Sequence, residues 1–332
     1  MSTKLRLHLL LMVCLTASMA FAQFDPGSHT TLSQNDHSSN PLMDPLHLLH
    51  QQQSQAEPWM ESQNPVKMGL ASPGTYNFST TDVPGSDNTM ATDADTSTTV
   101  GYFNYTAMSN SQAFTLTNGT YQILNIPGAI LIEALGINST GKIVGGYSTG
   151  TVAHGFIDDN GVFTNVDFPG AFGTVVYGIN ARGLMVGVYN PTSAGGQHGF
   201  IDDAGVFTVV DPPGDTAAVA AGVNRYGNVV GAYTDMAGNT HGFLLSGGVY
   251  TTLDFPLAKG TEAIGINDSG VISGTYTDTA NVNHGFTYSN GSWGSIDVAG
   301  AASTTIFHIQ NSGAVEGWYT DDKGEDHGIK GQ

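Results

Sequence analysis

A His-Gly dipeptide recurs at His154, His198, His241, His284 and His327, at intervals of 44, 43, 43 and 43 residues. A period this constant means stacked copies of one supersecondary unit, each too small to bury its apolar face alone. The surrounding text repeats with it: HGFIDDNGVFTNVDFPG begins at His154 and HGFIDDAGVFTVVDPPG at His198. Each copy divides into four short runs, for example TVVYGIN, LMVGVYN, HGFID and VFTNVDF. Turn signals separate them. The first is Asn-x-x-Gly, at Asn138–Gly141, Asn180–Gly183, Asn224–Gly227 and Asn267–Gly270. There Asn bonds its own backbone and Gly accepts a positive φ. Another is a short hairpin such as Asn160-Gly161 or Asn290-Gly291. Four antiparallel strands per ~40–45 residues is the pattern of a propeller blade.

The link least like a hairpin is FPGAFG, PPGDTA, FPLAKG or VAGAAS. It is read as the crossing from the outer strand of one blade to the inner strand of the next. The GIN run is then innermost, and six such strands start near Thr89, Leu131, Thr174, Ala217, Thr261 and Ser303. TYNFSTTDVPG, from Thr75, reads as an outer strand without its first three, and HGIKGQ as a third strand without its fourth. The expectation for residues 73–332 is an all-β, six-bladed β-propeller of four-stranded antiparallel blades. Its last blade is closed by both termini, which hides the edge strands.

The pattern HGF…DFPG…GIN…G…VVG.Y resembles the bacterial extracellular repeat family named for its His-Ala-Phe motif, the HAF repeats. The likeness runs over residues 75 to 332 and is clearest from Gly136 onward. The middle residue here is Gly wherever the histidine is kept, whereas Gln112-Ala113-Phe114 keeps the Ala and lacks the His. The resemblance implies export and a repeat fold, and no activity.

Lys4 and Arg6, an apolar run from Leu7 to Met19 and the small-x-small Ala20-Phe21-Ala22 read as a secretory signal peptide over residues 1–22. No later stretch reaches ~20 consecutive apolar residues, so membrane insertion is not expected. Residues 23–72, rich in Gln, Ser, Asn, Pro and His, read as a disordered spacer. The one cysteine, Cys14, lies in the signal, so the mature chain has no thiol chemistry. The formal charge is −19, and removal of the signal leaves seven basic residues against 28 acidic ones, −21. Such a surface repels phosphate backbones, which sets nucleic acid aside as a partner. The expected location is secreted or periplasmic, the expected state a monomer.

The repeated histidines are matched by a repeated acid at the end of the outer strand: Asp82, Asp167, Asp211, Asp254 and Asp297. In a hairpin of third and fourth strands the two meet at one rim, so a structural cross-strand His–Asp pair is expected. The copy without the His, at Gln112, has Asn125 in place of the acid. Acidic residues also gather in the loops between second and third strands, Asp235, Asp278, Asp321, Asp322, Glu325 and Asp326, and at the crossings, Asp87, Asp215 and Glu262. The loop acids are read as a candidate binding rim.

No phosphate-binding G-x-x-x-x-G-K-[ST], no G-x-S-x-G elbow and no Asp box is present. DADTS at Asp93 alternates oxygen ligands as a calcium loop does, but lacks the glycine and glutamate that complete one. No metal site or cofactor is assigned. A catalytic propeller needs unlike groups converging once, and the non-consensus residues His308, Glu316, Trp293 and Trp318 mark the last two copies as the place to look. The reading is an exported, non-catalytic scaffold that binds a protein or glycan. The alternative is a metal-dependent hydrolase or lactonase with its site over the central channel. Terminal sequencing of the exported protein should give Gln23 as the first residue; an uncut Met1 would refute the signal.

Overall fold

The computed structural model describes residues 76–105, 110–150, 152–193 and 196–332. The signal and spacer segments lie outside them. Every regular element is a strand. In chain order these are β1 (Phe78–Thr80); β2 (Asn88–Ala94), β3 (Thr98–Asn104), β4 (Gln112–Thr117) and β5 (Thr120–Ile123); β6 (Leu131–Ile137), β7 (Ile143–Ser148), β8 (Ala153–Asp159) and β9 (Val162–Asn165); and β10 (Gly173–Ile179), β11 (Met185–Asn190), β12 (His198–Asp203) and β13 (Val206–Val210). They continue with β14 (Asp215–Val223), β15 (Val229–Asp235), β16 (Thr240–Ser246) and β17 (Val249–Leu253); β18 (Gly260–Ile266), β19 (Ile272–Thr277), β20 (Asn283–Ser289) and β21 (Ser292–Ile296); and β22 (Ser303–Ile309), β23 (Val315–Thr320) and β24 (Asp326–Gly331).

Strands β2–β5, β6–β9 and β10–β13 form three four-stranded antiparallel sheets. A fourth runs β22, β23, β24, β1, with Phe78, Ser79 and Thr80 opposite Gly331, Lys330 and Ile329. The fifth sheet has eight strands: β14–β17 and β18–β21 are each antiparallel and meet at one parallel pair, Thr240 with Gly260. The chain is an all-β propeller of four-stranded antiparallel blades. Where the repeat predicts six separate four-stranded sheets, four are separate. The other eight strands merge through the single parallel pairing of Thr240 with Gly260.

The first strand of each run touches the next: β2 meets β6, β6 meets β10, β10 meets β14, β14 meets β18, β18 meets β22, and β22 meets β2. All six carry a bulge at the same place, between Ala91 and Asp93, Ala134 and Gly136, Val176 and Gly178, Ala220 and Gly222, Ala263 and Gly265, and Ile306 and His308. The bulge bends the strand and breaks the inward–outward alternation by one residue. Beside it the second strand must be glycine. A Cβ on Gly231 would lie 2.0 Å from the Val219 carbonyl oxygen and 2.6 Å from the Phe243 ring.

That ring is the Phe of His-Gly-Phe, and with Phe114, Phe156, Phe200 and Phe286 it is fully buried. Each packs edge-on or tilted against an outer-strand aromatic: Tyr121, Phe163, Phe207, Tyr250 and Trp293, with centroids 5.0–5.7 Å apart. Such contacts add to the burial of large apolar rings. Trp293 is therefore the outer-strand aromatic of its repeat, wedged against Phe255, Phe286 and Tyr288. It does not join His308, Glu316 and Trp318 in a common locus, because its strand lies farthest from the axis.

The Asn-x-x-Gly turns join neighbouring repeats. Asn180 Oδ1 accepts the backbone N–H groups of Arg182 and Leu184, while its Nδ2 donates to the Asn224 carbonyl at 2.9 Å. Asn138, Asn224 and Asn267 likewise donate to the carbonyls of Asn180, Asn267 and Gln310. Gly231→Ala should destabilise the fold by about 3 kcal/mol, since backbone must move to admit the methyl group. Gly238→Ala, in a turn at φ +85° with open space around it, should cost about 1 kcal/mol. Denaturant melts of the two variants measure this, and equal losses would contradict the packing account.

Candidate functional site

At the rim where second strands end and third strands begin, each repeated histidine meets its acid. Nδ1 lies 3.0 Å from Asp167 in His154, 3.0 Å from Asp211 in His198, 2.8 Å from Asp254 in His241, 2.9 Å from Asp297 in His284 and 2.8 Å from Asp82 in His327. The last pair joins β24 to the segment following β1. Each imidazole also lies against the tyrosine opposite it on the second strand, Tyr147, Tyr189, Tyr233, Tyr276 or Tyr319, with centroids 4.9–5.4 Å apart. The tyrosine is the Y that ends VVG.Y, a signal present in the repeat but not read as a partner of the histidine.

Three of the loop acids serve the same unit. Asp235, Asp278 and Asp321 each cap their own loop through two backbone N–H groups at 2.8–2.9 Å. These donors hold all three carboxyls below their ordinary value, Asp235 at about 2. Their other oxygens approach the second histidine nitrogen at 3.4, 3.5 and 3.7 Å, that of Asp235 also accepting from the Asn239 amide at 3.0 Å. Asp322 is exposed. Asp326 departs from the expected rim: it is buried at the head of β24 and accepts from the Thr320 hydroxyl at 2.8 Å. Asp321, Glu325 and His327 bring one donor atom each within 4.8 Å of one another, the one group of metal-ligand type among the described residues. It sits on the rim and not on the inner strands.

The axis holds what the sequence did not disclose. A cavity of about 130 Å³ is lined from several inner and second strands by Met90, Tyr102, Tyr177, Glu262, Phe307 and Trp318, among others. Below it a second cavity, of about 70 Å³, shares the Tyr177, Ala221, Ile264 and Phe307 walls and reaches Asp93 and His308. Glu262 lies in β18, directly opposite Thr275. It is not a crossing-loop acid, because the crossing ends at Gly260. Burial raises its carboxyl above the usual range, with no other group contributing. Glu133 occupies the equivalent place on β6, buried, with the Ser111 hydroxyl donating at 3.0 Å. Burial lifts its carboxyl to about 7, against the pull of that hydrogen bond. Burial, then Glu133, Tyr177 and Asp326, hold the Tyr102 hydroxyl well above its ordinary value.

At the lower end, His308 and Asp93 stand where the four intervening repeats have Gly136, Gly178, Gly222 and Gly265, and they pair at 2.9 Å. Asp93 also accepts from the Ile137 N–H at 2.9 Å. Glu316, opposite His308 on β23, is fully buried and held by Gln310 at 2.7 Å and Lys330 at 3.5 Å. Burial pushes the His308 imidazole down, but Asp93 and Glu316 outweigh it and hold the group above its ordinary value. Asp93 takes the histidine, and Asp95 caps its own turn through the Ser97 and Thr98 N–H groups at 2.7 Å.

Glu133 binds a proton in the folded state up to about pH 7 and in the unfolded chain only to about pH 4.5. Between those values the native state holds more protons, so stability falls as pH rises through the window. Melting should be higher at pH 5 than at pH 8, and Glu133→Gln should remove a part of the slope worth on the order of 3 kcal/mol. Thermal melts across this range test it; an unchanged slope in the variant would contradict the assignment.

No family model matches the chain, and no curated protein does. Among solved structures it is similar to virginiamycin B lyase from Staphylococcus aureus, at 9% identity over 76% of this chain and 99% of that one, TM-score 0.43. It is also similar to the six-bladed β-propeller fucose lectin of Aleuria aurantia, at 10% identity over 73% and 90%, TM-score 0.47. With TolB from Acinetobacter baumannii it shares 8% identity over 71% and 64%, TM-score 0.49.

Proposed function

We propose that this is an exported, non-catalytic, six-bladed member of the HAF-type repeats, and that it binds a small ligand in the upper axial cavity. The blade count counts the eight-stranded sheet as two blades, which is supported by its single parallel pair and by the ring of first strands. Export rests on the leader sequence. No helix among the described residues is long and apolar enough to cross a membrane.

One observation carries the choice of site. The rim units are copied from repeat to repeat and are occupied with holding His, Tyr and Asp to one another. The axial side chains differ between repeats and converge on one concave space: Tyr102, Tyr177, Glu262, Phe307 and Trp318 come from four separate four-stranded runs, the last two from one run. A mostly apolar pocket with a few convergent polar groups is the physical form of a small-molecule site. Variable residues on a repeated frame give specificity without disturbing the frame. A protein or glycan partner is then a secondary role for the acidic rim.

Ala221 lines both axial cavities, so Ala221→Phe should fill the shared wall. A thermal-shift panel of small aromatic probes, phenol, indole and benzyl alcohol, should give a saturable rise in melting temperature with the natural chain and none with this variant. No rise with any probe, or an undiminished rise in Ala221→Phe, would overturn the axial site.

A further inference from the structure

The character of the axial walls goes further than a binding site in general. We infer that the upper cavity takes a small organic cation, an ammonium group on an apolar body, with Glu262 as its counter-charge and Tyr102, Phe307 and Trp318 as the walls around it. This rests on the axial cavity being the binding site.

Three observations converge on the charge. First, Glu262 brings a carboxyl into a space walled by Met90, Tyr102, Tyr177, Phe307 and Trp318, with Asp326, Asn283 and threonine hydroxyls as the other polar lining, and no hydrogen bond or ion pair of the described residues is directed to Glu262. A carboxyl so placed is costly when ionised alone and is relieved by an incoming cation. Second, Thr275, opposite Glu262 on the neighbouring strand, is buried, lines the same cavity, and its hydroxyl has no hydrogen-bond partner. An acceptor there suits an N–H donor that also reaches the carboxylate. Third, Phe307 and Trp318 form a tilted pair with centroids 4.8 Å apart, and Tyr102 is buried on the same wall. Aromatic faces attract a desolvated cation, Trp most strongly.

The approach to the cavity has the same sign. Asp235, Asp278 and Asp321 stand at the rim on the end of the strands from which Thr277, Asn283 and Asp326 line the cavity. Their backbone hydrogen bonds keep them ionised. Negative groups around a low-dielectric mouth concentrate cations and turn anions away. Mobile loops are not needed, since Glu262, Thr275 and Trp318 all project from strands.

The test uses the chain with Trp59→Phe and Trp293→Phe, which leaves Trp318 as the single indole reporter. Benzylammonium, its neutral counterpart benzyl alcohol, and benzoate are titrated while Trp318 fluorescence is read. Benzylammonium should bind about tenfold or more tightly than benzyl alcohol, and benzoate should not bind. Glu262→Gln should erase the preference for the cation while leaving benzyl alcohol unaffected, and Thr275→Val should weaken the cation by a smaller factor. Equal binding of benzylammonium and benzyl alcohol would overturn the cation inference and leave the axial site standing. No response to any of the three would overturn both. If Glu262→Gln does not fold, the comparison of the three probes on the parent chain still decides.

Discussion

The structure depends on a carbonyl group turned out of its sheet. At the bulge of each inner strand the backbone oxygen before the slip swings toward the neighbouring strand, which can meet it only with glycine. The phenylalanine of His-Gly-Phe then lies over that glycine and seals the gap. The three features recur together at Val219, Gly231 and Phe243 and at their counterparts in four other runs; in the last, Gly317 meets the Thr305 carbonyl and Ile329 stands in place of the phenylalanine. A single local irregularity thus fixes the glycine in all six runs and places the main aromatic in five of them. It also decides which side chains look along the axis, because the slip reverses inward and outward for everything beyond it.

Much of the frame was legible in the chain. The constant period, the Asn-x-x-Gly turns and the Pro-Gly crossings located the strands, and the inner strands begin within two residues of Thr89, Leu131, Thr174, Ala217, Thr261 and Ser303. The meeting of His154 with Asp167, and of its counterparts, followed from hairpin geometry alone. Repetition makes such features readable, since each copy corroborates the others. The axial residues have no such support. Glu133 and Glu262 occupy one position in two copies and are Met, Val or Thr elsewhere, so they look like scatter until the bulge is known. Glu262 reads as a loop acid because it follows a crossing closely, and Asp326 as a rim acid because it follows a charged loop. Trp293 drew notice by size, though its place belongs to Phe or Tyr in other copies.

The molecule separates its charges by task. On the rim, carboxylates are tied to backbone N–H groups and imidazoles near solvent, where pairing is inexpensive and of modest worth. Inside, Glu133, Glu262 and Glu316 stand in surroundings that disfavour ionisation, and only Glu316 has a cationic neighbour, Lys330. Buried charge of this kind is a poor means of stabilising a fold. Its presence around the axis, on β6, β18 and β23, sets these carboxyls apart from the rim carboxylates.

The asparagine links between turns run one way: each reaches forward to the carbonyl of the following copy, from Asn138 through Asn267. Any middle copy therefore carries both halves of a universal joint. The two junctions that flank β2 are custom-made: Asp93 pairs with His308 of β22 on one side and accepts from the Ile137 N–H of β6 on the other. A gene encoding such a chain can gain or lose an internal segment by unequal crossing-over and still present matching surfaces at every new junction, so the circumference is free to change over evolutionary time while those two junctions are preserved.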